Sequence, residues 1–291
     1  MAGPLQTLRL KLSPSVTGHG PDAAREALWL AVGLVALLAV TKPVLDGVLG
    51  LAGAAFTLAA AYQLYLPLGR LEARREDPAD YGIHAHGLIG VPLRALRALV
   101  GRLGRALGFR GAARAVTGWL WHYTRPARLD LRGAARDLAF ATLACVLTFP
   151  PFAVGYVLFQ RFLAERQGRS VEFALRAPDD VLALAATHIF LVAIPEELFY
   201  RGYIHTLLVR AWPPRFTVLG ASVGKAVLVG SALFALGHFA GEWNPQRLGP
   251  FFPALLFCAL RSVSGSIMGA VLYHGLSNVM GEVMRVSTTW H

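Results

Sequence analysis

The sequence predicts an all-α fold, a polytopic bundle of transmembrane helices carrying a basic amphipathic helix at the membrane interface. Three observations point there. Hydrophobic residues make up 55% of the 291 positions and charged residues only 15%, where a soluble domain has roughly 25% charged. Mean hydropathy is +0.49, more apolar surface than a soluble fold of this length hides easily and no burden in lipid. The apolar residues also fall into runs near the roughly 20 residues that a helix needs to cross the hydrocarbon core.

About seven such runs, or eight, are expected. They lie near 27–40, 44–68, 138–159, 181–208, 216–239, 250–260 and 265–284. The sixth is short and flanked by proline, so a tilted, broken or re-entrant segment fits it as well as a crossing. The chain divides into an N-terminal region, 1–69, with two spans, a basic insert, 70–137, and a helical bundle, 138–291. No internal repeat or low-complexity linker interrupts it. Residues 1–22 lack the charged start, apolar core and small-residue cleavage site of a signal peptide.

The net charge is +11. The insert holds thirteen arginines against six acidic residues, and so +7 of that total. By the positive-inside rule it faces the cytoplasm. Anionic lipid headgroups, not nucleic acid, are the expected partner of this charge. Within residues 91–118, Leu93, Leu96, Leu99, Val100, Leu103 and Leu107 fall within an arc of about 120°. Arg94, Arg97, Arg102 and Arg105 fall opposite. That pattern suits a helix lying in the interface, with Trp119, Trp121 and Tyr123 as anchors. Gly101, Gly104 and Gly108 weaken it as a helix. Only three residues are lysine, and this arginine bias with abundant alanine is in keeping with a GC-rich bacterial source and an inner-membrane location. Cys145 and Cys258 lie in apolar runs without metal-ligand spacing and read as packing residues.

Ionisable side chains inside a span are costly and mark function by default. The fourth run contains Glu196, Glu197 and Arg201. Glu197 and Arg201 are four apart, share a helix face and can pair. Glu196 points about 100° away, free to face another helix. An unpaired carboxylate in a dry bundle tends to hold a water and can act as a general base. The fifth run ends in His238, one turn after Phe234. The seventh contains His274 and Asn278, four apart on one face, and both can donate to a developing oxyanion. His188, two turns before Glu196, and His205, one turn after Arg201, are read as structural or interfacial. His84, His86 and His122 lie in the insert and are read as solvated. Each piece also has a structural reading: an ion pair, an interfacial histidine, a hydrogen bond across helices.

Taken in order, EELFYR (Glu196 to Arg201), FALGH (Phe234 to His238) and HGLSN (His274 to Asn278) resemble the EExxxR, FxxxH and HxxxN motifs of the CPBP family of intramembrane proteases. That family includes type II CAAX prenyl endopeptidases and bacterial bacteriocin-processing and immunity proteins. The resemblance covers about 181–284, and Pro195 and Gly202 also fit it. It implies that Glu196 and His238 polarise the attacking water and that His274 and Asn278 stabilise the oxyanion. Glu197 and Arg201 would support the first motif, and Phe234 would pack. No cofactor is then needed. The alternative is Zn²⁺ held by Glu196, His238 and His274, with water in the fourth position. The expected partners are a membrane-anchored protein or peptide substrate and the bilayer itself. A non-catalytic scaffold or immunity protein, or a transporter that uses the carboxylates as a relay, is the remaining reading. One geometric condition follows. His238 lies near the outer end of its run and Glu196 near the middle of its own. They meet only if the fifth helix is offset, as Lys225 hints, or if the fourth extends beyond the bilayer.

Overall fold

The computed structural model describes residues 20–51, 53–84, 86, 90–109, 111 and 129–291, without the side chains of residues 20 and 90–97. Each of the seven apolar runs is helical along most of its length. Helix α1 is Gly20–Thr41, prolonged by a wide π turn, Lys42–Val48. Helix α2 is Ala54–Arg74, α3 Gly90–Ala106 and α4 Leu131–Arg166. The fourth run is one continuous helix, α5, Val181–Ala211. Helix α6 is Lys225–Glu242, α7 Phe251–Ser264 and α8 Met268–Val286.

The fold is mostly helical, as expected, and four three-residue strands form two antiparallel ladders among the described residues. Val171–Phe173 pairs with Thr288–Trp290, and Phe216–Val218 with Ala221–Val223. The second ladder takes the start of the expected fifth span. Its Phe-Thr-Val run is apolar enough to read as helix, but the helix begins only at Lys225. Among the described residues three helices, 21–48, 131–166 and 181–211, are by themselves long and apolar enough to cross a membrane. Helix α7, with 14 residues, reaches about 21 Å at 1.5 Å per residue, short of a ~30 Å hydrocarbon core.

The helices approach closely because small residues face one another. Ala23, Ala27, Ala31, Ala59, Ala141, Ala144, Ala226, Ala254 and Ala270 are all buried in the main core. This is what membrane packing demands, since apolar surface alone gives no drive for one helix to prefer another over lipid. The surface is correspondingly oily: Leu143, Val146, Leu147, Val154 and Leu158 on α4 are all exposed.

Polar clamps fix the two ends of the bundle. At one end Glu26 of α1 pairs with Arg70 (3.1 Å) and Arg74 (2.6 Å) of α2 and accepts a hydrogen bond from Tyr203 of α5 (2.8 Å). At the other, Lys42 reaches Glu242 at the end of α6 (3.1 Å), and Arg247 closes on the same carboxylate. Arg247 first, then Lys42, hold Glu242 well below the usual carboxylate range, at about 2. A carboxyl depressed in the folded state contributes stability above pH 4.5 that is lost as pH falls toward 2. We expect a Trp243 fluorescence or hydrogen-exchange signal at this corner to change over that window, and Glu242→Gln to remove the change.

Part of the basic insert is buried structure. After α2, Asp77 caps a short 3-10 turn, Pro78–Tyr81. Tyr81 is fully buried, stacked on Tyr203 with ring centres 5.3 Å apart, and its hydroxyl accepts from Arg210 (2.6 Å) and donates to Glu76. Gly82 follows at φ +67, with the Arg261 guanidinium where a Cβ would be, so any side chain would both strain the backbone and displace Arg261. Ile83 packs against Gly202 of α5, and the Gly82 carbonyl accepts from the Ile267 amide (3.0 Å). His86 is not solvated as expected but buried, its Nε2 2.7 Å from the buried carboxylate of Asp137. His84 is half-buried beside it. Helix α3 runs through Gly101 and Gly104, and exposes Leu99 and Leu103 as well as Arg102 and Arg105. His122 and the aromatic anchors Trp119, Trp121 and Tyr123 lie outside the described residues.

Candidate active site

Helix α5 is not a regular α-helix. An α turn, Ile194–Glu197, sits between two π-helical stretches, His188–Ala193 and Leu198–Ile204. Pro195 accounts for the first. It has no N–H to give, and its ring crowds the carbonyl four residues back. The ladder widens there, and the Ile194 amide bonds the Ile189 carbonyl five residues earlier. Single π turns are frequent at functional sites, and this pair brackets the acidic dipeptide.

Glu197 is fully buried and points into the bundle. Its Oε1 accepts from Arg201 Nη1 (3.0 Å) and from His274 Nδ1 (2.8 Å). The anticipated pair on one helix face is therefore present, and it reaches α8 as well. Arg201 is also buried, with its guanidinium 4.2 Å from the Phe234 ring centre and 4.6 Å from that of Phe257. Phe257 stacks on His274 with ring centres 4.8 Å apart and planes within 16°. Phe234 touches Tyr200, Phe257, His238 and His274. It is thus the hub of an aromatic wall that fixes the cation and both imidazoles.

Glu196 faces the other way. Its Oε2 lies 3.8 Å from His274 Nε2 and 4.0 Å from His238 Nε2. This oxygen is buried and has no hydrogen-bond partner. His238 Nδ1 donates to the Phe234 carbonyl (3.1 Å), which turns Nε2 toward Glu196. His274 Nδ1 donates to Glu197, which does the same for its ring. Three polar atoms from α5, α6 and α8 therefore converge at separations that one water bridges with ordinary hydrogen bonds. The condition on depth is met in both of its forms: α6 starts at Lys225, and α5 runs for 31 residues. Asn278 is half-buried one turn beyond His274 on α8, with no hydrogen bond to the described residues.

Of the six residues expected at the site, five are joined by these contacts and Asn278 stands beside them on the His274 face. His205 is buried near Arg201 and Arg261, and its Nδ1 has no partner. His188 is half-buried on the first π stretch of α5, which packs against α8. Phe257 and Tyr200 were not anticipated. Phe257 lies in the sixth run, where no motif marks it, and Tyr200 occupies a variable position of EELFYR. Among the described residues no group of three His, Cys, Asp or Glu side chains lies at metal-ligand spacing.

Glycine sets one close approach. A Cβ on Gly275 would lie 2.5 Å from Ile189 Cγ1 and 3.3 Å from Ile189 Cα, against the backbone of the first π stretch. Gly275→Ala should cost about 1–3 kcal/mol by overpacking and displace His274 next to it. A drop in thermal midpoint with a disproportionate loss of activity is expected, whereas Gly281→Ala, where a Cβ meets nothing within 4 Å, should change neither.

Comparison with known proteins adds one match. Residues 178–280 match the family described as type II CAAX prenyl endopeptidase Rce1-like. No curated protein and no solved structure matches the chain.

Proposed function

From a chain whose residues 178–280 carry an Rce1-like type II CAAX prenyl endopeptidase domain, we propose an intramembrane endopeptidase that hydrolyses a peptide bond near the C-terminus, or in the membrane-adjacent segment, of a membrane-anchored protein or peptide. The match over residues 178–280 supports reading the chain as a membrane-embedded protease. The observation that carries the chemistry is the unpartnered, buried Glu196 Oε2 between two imidazole nitrogens.

In this reading Glu196 takes a proton from the water that His238 helps to orient, and the water oxygen attacks the scissile carbonyl. The carbonyl π electrons move to oxygen, and His274 Nε2 and the Asn278 amide receive the oxyanion. His274 can donate from Nε2 only as an imidazolium, because Nδ1–H is spent on Glu197. The Glu197 carboxylate at 2.8 Å supplies the counter-charge. Collapse of the intermediate expels the amine, which takes the proton from Glu196. Arg201 holds Glu197, so it acts on the reaction through position alone. Desolvation by the aromatic wall strengthens each of these interactions.

The test compares membranes that contain the wild type with membranes that contain Glu196→Ala, with terminal peptides read by mass spectrometry. New C-termini that require Glu196 are expected. No difference across the membrane proteome would sink the proposal. Chelation should leave cleavage intact, and stoichiometric zinc in active protein, with activity lost on its removal, would replace the metal-free mechanism.

A further inference from the structure

A groove on the outside of the bundle is lined by residues with no part in the proposed reaction. Arg25, Leu28, Trp29 and Val32 of α1 form one wall, and Ala211 and Trp212, where α5 ends, form the other. Its volume is about 700 Å³. The α1 positions fall at spacings of three and four, so they make one stripe along the helix. From Arg25 to Val32 the stripe is about 10 Å long, and beyond Arg25 it is apolar throughout. Leu28, Trp29 and Val32 are all exposed, Trp29 by 69%.

The polar end of the groove lies on the face from which the arginine-rich insert leaves, because Glu26, next to Arg25, is clamped to Arg70 and Arg74 at the end of α2. A polar recess that includes both of these arginines adjoins the groove at Arg25 and Trp29. Lys225, the first residue of α6, holds its Nζ 4.2 Å from the centre of the Trp212 ring and forms no ion pair with a described residue. Arg25 pairs only with Asp22, at 3.0 Å, and both side chains are mostly exposed. Water competes for such a pair, so it holds Arg25 weakly. At this rim the cations Arg25, Arg70, Arg74 and Lys225 therefore outnumber the carboxylates of Asp22 and Glu26, and Glu26 is already matched by its two arginines.

We propose that this groove binds one anionic phospholipid from the leaflet on the insert side, with the phosphate held by Arg25 and Lys225 and an acyl chain laid along Leu28, Trp29 and Val32. A cationic rim at the end of an apolar stripe fits a ligand with an anionic head and an apolar tail. A free anion would leave the stripe bare, and an uncharged chain would leave Lys225 without a counter-charge. Indole rings on both walls suit the level at which headgroups meet acyl chains, and basic pockets between helices on the cytoplasmic side are where anionic headgroups bind. The lipid ties the start of α1 to the start of α6, where the described residues form no ion pair between the two helices. Its binding does not depend on the protease reading.

The full chain, purified in a non-ionic detergent and stripped of lipid, can be titrated with phosphatidylglycerol or phosphatidylcholine and read by native mass spectrometry and thermal midpoint. One phosphatidylglycerol should be retained at about 10–30-fold lower concentration than phosphatidylcholine, the usual worth of two basic residues at a lipid surface. The midpoint should rise with its concentration. Arg25→Gln with Lys225→Gln should erase the preference, and Trp29→Ala should weaken retention of both lipids. Arg102→Gln with Arg105→Gln, exposed on α3, should leave the preference intact. Arg25 and Lys225 are themselves exposed, so the midpoint without lipid should stay at the wild-type value, and Arg25→Gln alone carries the test if the pair lowers it. Equal retention of the two lipids by the wild type, an equal loss of preference in the α3 pair, or displacement of phosphatidylglycerol by inorganic phosphate but not by chloride of the same ionic strength would overturn the proposal.

Discussion

Glu196→Gln is expected to stop hydrolysis while leaving the fold intact. On a substrate identified from the terminal-peptide comparison, kcat should fall about 10²–10⁴-fold, the usual worth of a positioned general base. KM should move little, because glutamine keeps the shape of the side chain and removes only proton acceptance. Stability should change by no more than about 0.5 kcal/mol, as for substitutions that break no contact. The reason lies in the geometry. Glu196 Oε2 makes no hydrogen bond, and its nearest polar neighbours are the two imidazoles at 3.8 and 4.0 Å. A carboxylate kept in a protein interior without a partner contributes nothing to folding that an amide could not. Unchanged cleavage by purified Glu196→Gln would remove this residue from the reaction.

Arg201→Met should do the opposite and unfold the bundle before it says anything about chemistry. The guanidinium and the Glu197 carboxylate are both buried at 3.0 Å, and the same carboxylate holds His274. Removing one member of a buried pair leaves the other uncompensated, at about 3–5 kcal/mol. The two aromatic faces over which the guanidinium sits add to the loss. Lysine should rescue little, because an ammonium cannot both bond Glu197 and lie flat between Phe234 and Phe257. A second change distinguishes folding from function. In Arg201→Met with Glu197→Leu, the stranded charge is gone and part of the stability should return. Activity should not, since His274 then lacks the acceptor that orients it. Thermal unfolding in detergent and cleavage assays on the two variants would check both halves. Full activity in the double variant would mean that Glu197 plays no part in positioning His274.

The site was legible in the sequence because each of its ionisable groups stands in an apolar run, where charge is conspicuous. The spacing of Glu197 and Arg201 gave their pairing directly. What escaped depends on contacts distant in sequence or on backbone register. His86 reads as solvated because its neighbours are polar, and the partner that buries it, Asp137, lies 51 residues away. Phe257 carries no local sign that it will stack on His274. Hydropathy starts the fifth span too early because Phe216, Val218, Ala221 and Val223 are as apolar as a helix start, and only Lys225 marks the boundary. The wide turns of α5 have no hydropathy signature, although Pro195 is a physical reason to expect a break in the hydrogen-bond ladder.

Those wide turns bear on how this chain changes by insertion and deletion. An i to i+5 ring spans one residue more than the i to i+4 ring of an α-helix, so each π stretch behaves as a single-residue insertion absorbed without leaving the helix. Loss of one residue between His188 and Ala193 would restore regular winding there and leave Glu196, Glu197 and Arg201 in register with one another. Because the wide turn has already absorbed that residue, the flanks would keep nearly the same azimuths, with His188 and Leu182 facing as before around an unmoved acidic pair. The upstream half of α5 can thus lose one residue without re-aiming the faces that flank the acidic pair.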